Sequence, residues 1–364
     1  MVRPLTETSP DLSGGGALPV RRPRSSLNLL VGVGVLGSFL LLTVGRHISA
    51  PPSVLVLLLV ASPFWTLLVA LVAALAVLRR PNSGGAWLFL GLQVALWLTI
   101  WGRAWWGSPP PVDGDTVRVL SWNVQRLGFE DADDGPKLAC VASAVEALLP
   151  DVVALMEVSR RDVERLSTRL GLDCEHIDYA GSGRDDRGGV AACARTQTWK
   201  LGRSGPRRFV EDSSWYFIFA EMVRADDHQV VNLVSLHLQP NSLSLSGPRS
   251  PGAIAQTHSA EATALLERMA TLQDPTVVAG DFNSTRETPL HGALRVHLVD
   301  AFEQAGWGPG RTVEAVGLVP LRVDYVYTTP DLQPARAAIP ALDCSDHRPV
   351  VADIVLPEPW DRSR

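Results

Sequence analysis

The chain has 364 residues, enough for one large domain or two smaller ones, and its apolar fraction of 46% is ordinary. Eight of its 33 basic residues but only two of its 38 acidic residues lie before residue 112, so that part carries a formal charge of +6 and the rest −11. The charge of −11 argues against general polyanion binding by the second part. The division indicates two physically different parts, one basic and apolar, the other acidic and mixed.

Three apolar runs fill the first part: Leu27–Val44, Val54–Leu78 and Trp87–Ile100, the last extending towards Trp106. A helix needs about 20 apolar residues to cross a hydrocarbon core of roughly 30 Å. The second run exceeds that length and the others approach it. We therefore predict a membrane anchor of three transmembrane helices over 27–106, after a basic tail at 1–26. A buried helical core or a cleaved signal peptide fits less well, because apolar runs recur and residues 12–112 hold no acid.

The arginines predict the orientation of this anchor. Arg21, Arg22 and Arg24 lie just before the first run, and Arg79 and Arg80 follow the second, whereas the loop between these runs holds only Arg46. Basic residues favour the cytoplasmic side, so three crossings place everything after Trp106 outside. We expect a multi-pass cell-membrane protein with its acidic part on the extracytoplasmic side, joined by a proline-rich linker at 107–115. If only two runs span the membrane, the acidic part lies inside.

From residue 116 the pattern changes to short strands and helices. Predicted strands are Val117–Val124, Val152–Val158, Val190–Ala194, Phe217–Val223, Val230–Leu238, Val277–Ala279, Val323–Tyr327 and Val350–Leu356. Helical spacing covers Lys137–Leu149 and Gln256–Leu272, and Pro240–Ala255 is typical of a long loop. The alternation indicates a layered α/β domain.

Acidic, amide and imidazole side chains follow these strands at the points where they end or begin. The segments are Ser121-Trp122-Asn123, Met156-Glu157, Ser235-Leu236-His237, Gly280-Asp281-Phe282-Asn283, Arg322-Val323-Asp324 and Ser345-Asp346-His347-Arg348-Pro349. Each alone is explained by a turn or a solvated loop. Six of them in one domain indicate a shared site.

In their order and residue identities the segments resemble the motifs of the endonuclease/exonuclease/phosphatase superfamily, whose members include deoxyribonuclease I. The resemblance covers residues 116–357 and leaves a tail at 358–364. It implies an α/β four-layer sandwich of the deoxyribonuclease I type, following the N-terminal transmembrane helices. It also implies a hydrolase that uses a divalent metal, Mg²⁺ or Mn²⁺, to cleave a phosphodiester by attack of water.

The resemblance also implies a role for each matching residue. Glu157 and Asn123 are expected to hold the metal, and Asp346 to complete its site. His347, paired with Asp324, is expected to bind phosphate or act as general base, and Asp281 is the other candidate base. Asn283 and His237 are expected to donate hydrogen bonds to the phosphate.

Two departures from the family pattern bear on the substrate, which the sequence leaves open between nucleic acid and a phospholipid headgroup. Met156 stands where the family usually has Gln, and Ser159 where a charged residue is common. Neither removes a metal ligand, so they favour an altered substrate over lost activity. No protein partner is inferable. The alternatives are a catalytically silent ligand-binding sensor, which the intact acidic and imidazole groups disfavour, and a transport function, which helices without acids disfavour.

Four cysteines, Cys140, Cys174, Cys193 and Cys344, allow three pairings, and an oxidising compartment permits disulfides. Cys174 and Cys193 flank a predicted hairpin whose tip is 181–184. Two antiparallel strands joined at that tip pair residues whose numbers add up to about 367. The numbers of Cys174 and Cys193 add up to 367. The spacing therefore predicts a cross-strand bridge between Cys174 and Cys193, against the alternative of two small buried thiols.

Overall fold

The computed structural model describes residues 26–48, 50–102, 114–125, 135–179, 188–209, 216–240, 244, 246–315 and 319–357. Four predictions lie wholly or largely outside these residues: the basic tail, the linker, the hairpin tip at 181–184 and the tail at 358–364.

The N-terminal part is helical. Its helices are α1 (Ser26–Thr43), α2 (Ser53–Val60), α3 (Ser62–Arg79) and α4 (Gly84–Trp101), with a 3-10 turn at Gly45–His47 between α1 and α2. Three segments are long and apolar enough to cross a membrane: Leu29–His47, Ser62–Arg79 and Gly84–Trp101. They correspond to the three apolar runs of the sequence.

The second predicted run is two helices instead of one. The chain breaks between α2 and α3 at Ala61, and Pro63 lies in the first turn of α3. Proline has no N–H to donate to the carbonyl four residues earlier, and its ring clashes with that carbonyl, so a helix through this point is interrupted. Only α3 has the length of a membrane span.

The remainder forms two six-stranded mixed sheets and one short ladder. The first sheet contains β1 (Thr116–Asn123), β2 (Val152–Val158), β3 (Leu172–Asp178), β4 (Gly189–Arg195), β13 (Gln333–Ala338) and β14 (Val350–Val355), in the order β13-β14-β1-β2-β4-β3. The second contains β5 (Trp199–Arg208), β6 (Tyr216–Arg224), β7 (Val230–His237), β8 (Thr276–Asp281), β9 (Val299–Asp300) and β12 (Asp324–Thr328), in the order β5-β6-β7-β8-β12-β9. The ladder pairs β10 (Val313–Ala315) with β11 (Val319–Leu321).

Helices α5 (Pro136–Leu148) and α6 (Arg160–Leu170) cover the outer face of the first sheet, and α7 (Pro251–Met269) and α8 (Pro289–Leu294) cover that of the second. The short helix α9 (Ala301–Ala305) instead contributes to the apolar cluster between the sheets. One apolar cluster fills the space between the sheets, a second lies between the first sheet and α5–α6, and a third lies between the second sheet and α7–α8. The predicted four-layer α/β sandwich of the deoxyribonuclease I type is confirmed.

Alternation along β1 produces this layering. Val117 and Val119 belong to the cluster between the sheets, whereas Leu120 and Trp122 belong to the cluster under α5 and α6. Successive strand residues point to opposite faces. Because both faces are covered, β1 is mostly apolar, and Arg118 and Ser121 are the polar residues between Thr116 and Asn123.

Every predicted strand is an interior strand of its sheet, and the four edge strands β3, β5, β9 and β13 were not predicted. Interior strands are buried on both faces and have apolar sequences, whereas an edge strand such as Leu172–Asp178 carries charges at half-exposed positions. The predicted loop at 240–255 is wrong in its last part, because α7 begins at Pro251. Ser250 caps that helix by accepting from the backbone N–H of Ala253.

Candidate active site

Parallel strand pairs bring the predicted polar residues together. β1 runs parallel to β2 in the first sheet, and β7 runs parallel to β8 in the second. Their carboxyl ends therefore present Asn123 and Glu157 from one sheet, and His237 and Asp281 from the other. Asp324, at the start of antiparallel β12, lies directly opposite Asp281.

Asp281 lies at the centre of this group and is 1% exposed. Its Oδ2 accepts a hydrogen bond from Asn123 Nδ2 at 2.9 Å, across the gap between the sheets. Its Oδ1 accepts from the backbone N–H of Asn283 at 2.8 Å. The Nε2 atom of His237 lies 3.4 Å from Oδ2. The carboxylate is thus held by two hydrogen bonds, with the His237 ring beside it.

The tight turn after Asp281 depends on two special residues. A Cβ on Gly280 would lie 1.9 Å from the carbonyl oxygen of Leu236 on the neighbouring strand, so only glycine fits there. Asn283 has a φ of +46°, in the left-handed region that asparagine adopts more readily than most residues. This turn points the Asn283 side chain back towards β7.

Asn283 and His237 form a hydrogen-bonded pair. Asn283 Nδ2 lies 2.9 Å from His237 Nε2 and also donates to the carbonyl of Leu238 at 2.8 Å. An amide N–H donates, so Nε2 of the imidazole accepts, and its Nδ1 is left to pair with the hydroxyl of Tyr179.

Glu157 lies on a bulge. The β2–β4 register shifts between Met156 and Val158, and Glu157 has a φ of +57°. Bulges next to active sites re-aim a side chain, and left-handed backbone at a residue other than glycine costs of order 1 kcal/mol or more. The Glu157 carboxylate accepts from Asn123 Nδ2 at 3.3 Å, so one amide bridges Glu157 and Asp281.

His347 forms a buried pair with Asp324. Its Nδ1 lies 2.8 Å from Asp324 Oδ2 and 3.9 Å from Asp281 Oδ2, and Asp324 is 0% exposed. Burial opposes a charge on this ring, but attraction to the Asp324 and Asp281 carboxylates outweighs it and raises the pKa of His347 to about 10. The imidazole is therefore held as a cation next to two acids.

The segment carrying His347 is fastened to the first sheet. Trp122 Nε1 donates to the carbonyl of His347 at 2.9 Å, and Ser345 Oγ donates to the carbonyl of Asn123 at 2.8 Å. A disulfide joins Cys344 to Cys140 of α5. These contacts place His347 opposite β1 although it lies more than 200 residues away in the chain.

Two contributors were missed at the sequence level. The Tyr179 hydroxyl accepts from the backbone N–H of Glu157 at 3.0 Å and also contacts His237, so it links the bulge to the imidazole. The Thr312 hydroxyl accepts from the backbone N–H of Asp324 at 3.2 Å. Tyr179 directly follows an edge strand, and Thr312 precedes the short ladder; neither position had a strand signal to mark it.

The group has the composition of a site for a hard divalent cation. Glu157 and Asp281 converge on one amide, and carboxylate and amide oxygens are the ligands that Mg²⁺ prefers. One ligand atom from each of Asp281, Asp324 and His347 also lies within 4.8 Å of the others. Several carboxylates with few positively charged neighbours favour binding of a cation. The residues therefore fit the divalent metal ion that the family resemblance implies.

Two predicted metal ligands have their own partners here. The Asn123 side-chain oxygen accepts from the backbone N–H of Gln125 at 2.9 Å, so its nitrogen faces the carboxylates. Asp346 is exposed, and its carboxylate accepts from Ser345 Oγ at 3.3 Å. Both residues lie at the same end of the sheets as Glu157.

The two departures from the family pattern have structural roles. Met156 is 0% exposed in β2, where an apolar side chain packs without a polar partner. Ser159 is the N-cap of α6 and accepts from the backbone N–H of Asp162 at 3.1 Å. Capping of this kind stabilises a helix by about 1 kcal/mol.

The predicted bridge between Cys174 and Cys193 is confirmed. The two residues face each other in the antiparallel β3–β4 pair, with their Cα atoms 4.1 Å apart. The second disulfide, Cys140–Cys344, is the pairing that remains. The described residues contain no free cysteine.

Comparisons with known proteins agree with this architecture. A sequence model described as "Endonuclease/Exonuclease/phosphatase family" matches residues 120–347. A search of the curated proteins finds no match. Among solved structures, an endonuclease/exonuclease/phosphatase from Bacteroides vulgatus is 19% identical with a TM-score of 0.56, covering 66% of this chain and 99% of its own.

Two further structures share the fold. The human Nocturnin catalytic domain with bound sulfate is 20% identical with a TM-score of 0.53, covering 68% of this chain and 96% of its own. D. rerio TDP2 complexed with a single-strand DNA product is 20% identical with a TM-score of 0.51, covering 66% of this chain and 99% of its own.

Proposed function

The chain belongs to the endonuclease/exonuclease/phosphatase family, and we propose that it is a membrane-anchored, divalent-metal-dependent phosphodiesterase. The observation that carries this proposal is the convergence on buried Asp281 of Asn123, His237 and the Asp324–His347 pair. Family membership makes it a hydrolase of phosphate esters; the metal and the diester are the finer proposals.

In this proposal Glu157 would hold the cation with Asp346 as a further ligand, and Asn123 would join them once its amide turns over to present the side-chain oxygen. Asp281 is left as the base. When bound, a divalent cation neutralises the phosphate and polarises its oxygens. Glu157 is aimed inward by its bulge, and Asn123 keeps the two carboxylates at a fixed spacing. Mg²⁺ and Mn²⁺ both accept such oxygen ligands.

Asp281 orients the attacking water and takes its proton. The water oxygen forms a bond to phosphorus, one P–O ester bond breaks, and the leaving oxygen gains a proton from solvent. His347, held as a cation by Asp324, donates to a phosphate oxygen as negative charge builds. Asn283 lies next to Asp281 and would donate in the same way by exchanging its hydrogen bond to His237 for one to the phosphate, while His237, whose Nε2 accepts from Asn283, positions that amide.

We propose further that the catalytic part lies outside the cytoplasm. The basic flanks of the apolar runs support this orientation. The two disulfides support it as well, because disulfides persist in oxidising compartments and are rare in the cytosol. A reporter fused after Leu356 should be active only outside the cytoplasm, and a cytoplasmic signal would contradict the three-span topology.

The catalytic proposal is tested with the full-length protein and bis-p-nitrophenyl phosphate. Activity should require Mg²⁺ or Mn²⁺ and disappear with EDTA. Glu157→Gln should lower kcat by on the order of 10² or more, because a bound cation contributes several kcal/mol of charge stabilisation. Glu267→Gln, an exposed position on α7, is the matched control and should keep the wild-type rate. Unchanged hydrolysis in chelator would contradict the metal mechanism.

A further inference from the structure

The N-terminal helices lie directly against the catalytic domain. The backbone N–H of Gly252 in α7 donates to Ser53 Oγ of α2 at 3.1 Å, and a Cβ on Gly252 would lie 2.8 Å from the carbonyl oxygen of Pro51. Trp101, the last residue of α4, donates through Nε1 to Glu287 Oε1 at 3.2 Å. The active site is therefore held at a fixed position relative to the candidate spans.

A cavity of about 620 Å³ lies between α2 and the catalytic domain. On the side of the N-terminal helices its walls are Val56, Leu57, Val60, Ala61 and Phe64. His347 and Asn283 line the same cavity. The volume is typical of a pocket that encloses a small organic ligand, and two members of the proposed catalytic group lie in its wall.

The facing wall of this cavity is also largely apolar. It includes Ile254, Ala255, Leu290, Leu321 and Val323. Among the described residues that line the cavity, none is Lys, Arg, Asp or Glu. Polar lining side chains, such as Asn283, His347 and three hydroxyl residues at 284, 285 and 288, come from the catalytic domain.

A second cavity, of about 330 Å³, adjoins the first. The two share Val60, Phe64, Thr285 and Leu321 in their linings. The second is bounded by Trp97, Ile100 and Trp101 of α4. Arg286, Glu287, Glu303 and Arg322 of the catalytic domain also line the second cavity. The apolar wall that extends from the first cavity to the ends of two candidate membrane spans is therefore the side formed by the N-terminal helices.

We propose that the substrate is a membrane phospholipid, whose acyl chains lie in the first cavity and along the apolar wall formed by the N-terminal helices, while its headgroup phosphodiester lies at His347 and Asn283. The inference rests on the proposed phosphodiesterase function and names its substrate class. Phe64, which lines both cavities, is the third residue of α3. At a rise of about 1.5 Å per residue it lies roughly 3 Å into that helix, so the site is at the level of lipid headgroups.

The same lining is unsuited to a polynucleotide. Nucleic-acid binding depends largely on Lys and Arg that neutralise successive phosphates, and the described lining of the main cavity provides none. An acyl chain needs only apolar surface with no unpaired polar groups. The exposed apolar residue Leu58 of α2 is also suited to a lipid interface.

The test compares a lipid with a soluble diester, using full-length protein in nanodiscs. Val60→Trp fills the junction of the two cavities, and Val54→Trp makes the same change at a position of α2 that is 57% exposed and outside both linings. We measure kcat/KM for phosphatidylcholine and for bis-p-nitrophenyl phosphate. The ratio of lipid to soluble activity should fall at least tenfold in Val60→Trp and stay at the wild-type value in Val54→Trp.

A second measurement follows the activity of the wild type and both variants on phosphatidylcholines with acyl chains of two to six carbons. Activity should rise severalfold per added methylene, up to about fourfold for complete transfer out of water. Partition into the nanodisc also rises with chain length, but it is the same for all variants. The cavity's contribution to the dependence of activity on acyl-chain length is therefore the contribution that disappears in Val60→Trp. It should remain in Val54→Trp.

The outcomes separate this inference from the proposed function. Metal-dependent hydrolysis of the soluble diester or of single-stranded DNA, with no hydrolysis of phospholipid, overturns the lipid inference and leaves the phosphodiesterase standing. Hydrolysis of neither kind of diester overturns both. Equal slopes in wild type and Val60→Trp, with Val60→Trp folded by circular dichroism, overturn the assignment of the acyl chains to this cavity.

Discussion

Replacing Asp324 by Asn tests the pair that holds His347. The side chain keeps its shape but loses its charge, 2.8 Å from His347 Nδ1 and with Asp324 0% exposed. Two unit charges at that distance attract by about 6 kcal/mol at an effective dielectric constant of about 20. An attraction of this size corresponds to about four decades of proton affinity, and burial of the pair cancels part of it.

We expect Asp324→Asn to lower kcat at neutral pH by on the order of 10² to 10⁴, as for other positioned acid–base groups. The pH profile should change as well. In the wild type the pKa of His347 is raised to about 10, so its cation persists until the pH approaches that value. Without Asp324 the pKa of His347 falls, and activity is lost at a lower pH as the solution becomes more alkaline.

The assay is the pH dependence of kcat for bis-p-nitrophenyl phosphate at saturating Mg²⁺. Asp331→Asn, in the exposed turn after β12, removes the same charge from a site without such a partner and is the control. A rate for Asp324→Asn within threefold of wild type, with the same alkaline limb, would show that His347 does not act as the charged donor.

The remaining predictions concern stability. Removing the Cys140–Cys344 bridge with two alanines should destabilise the domain more than removing Cys174–Cys193, by about 5 against about 3 kcal/mol in the chain-entropy model, because the residues are 204 and 19 positions apart. Urea unfolding measures both, and equal losses contradict the estimate. Burial lowers the pKa of His258 to about 4. As the pH falls from about 6.5 to about 4, the unfolded chain binds a proton that the folded protein does not, so the free energy of unfolding should decrease by about 1.4 kcal/mol per pH unit. In the same assay, His258→Gln should flatten this dependence, and an unchanged slope contradicts it.

The interior of the fold was predictable because buried strands have a distinctive sequence. All eight predicted strands are flanked by neighbours on both sides, and their polar end residues, Asn123, Glu157, His237 and Asp281, mark where the sheets meet the site. Edge strands mix charged and apolar residues and lack this signal. Cys174 and Cys193 were found by register arithmetic, which needs only the position of the hairpin.

The docking of the N-terminal helices could not be predicted in the same way. The sequence of α2, Ser53–Val60, is apolar on every side, so it has no periodicity to indicate which face contacts a partner. The contact depends on Gly252, whose lack of a side chain lets α7 approach Pro51 and Ser53. Glycine at a helix start has several explanations, and only the fold selects this one.

The positive φ of Glu157 was equally hidden. A glutamate after an apolar strand indicates a strand end, but the bulge that turns it inward depends on its neighbours. Gly188, which directly precedes β4, leaves room for the bulge, since a Cβ on it would lie 3.2 Å from the Glu157 backbone. The sequence pattern therefore identified Glu157 as a site residue, but the direction of its side chain depends on tertiary packing.

The most direct test of the central claim is hydrolysis of bis-p-nitrophenyl phosphate in ¹⁸O-labelled water by wild type and Asp281→Asn. Attack of water on phosphorus predicts one ¹⁸O in each phosphate monoester and none in the p-nitrophenol. Asp281→Asn should lower the rate by on the order of 10² to 10⁴. The substitution should leave the hydrogen bond between Tyr179 and His237 in place. Label in the p-nitrophenol, or a wild-type rate in Asp281→Asn, would contradict water attack directed by this site.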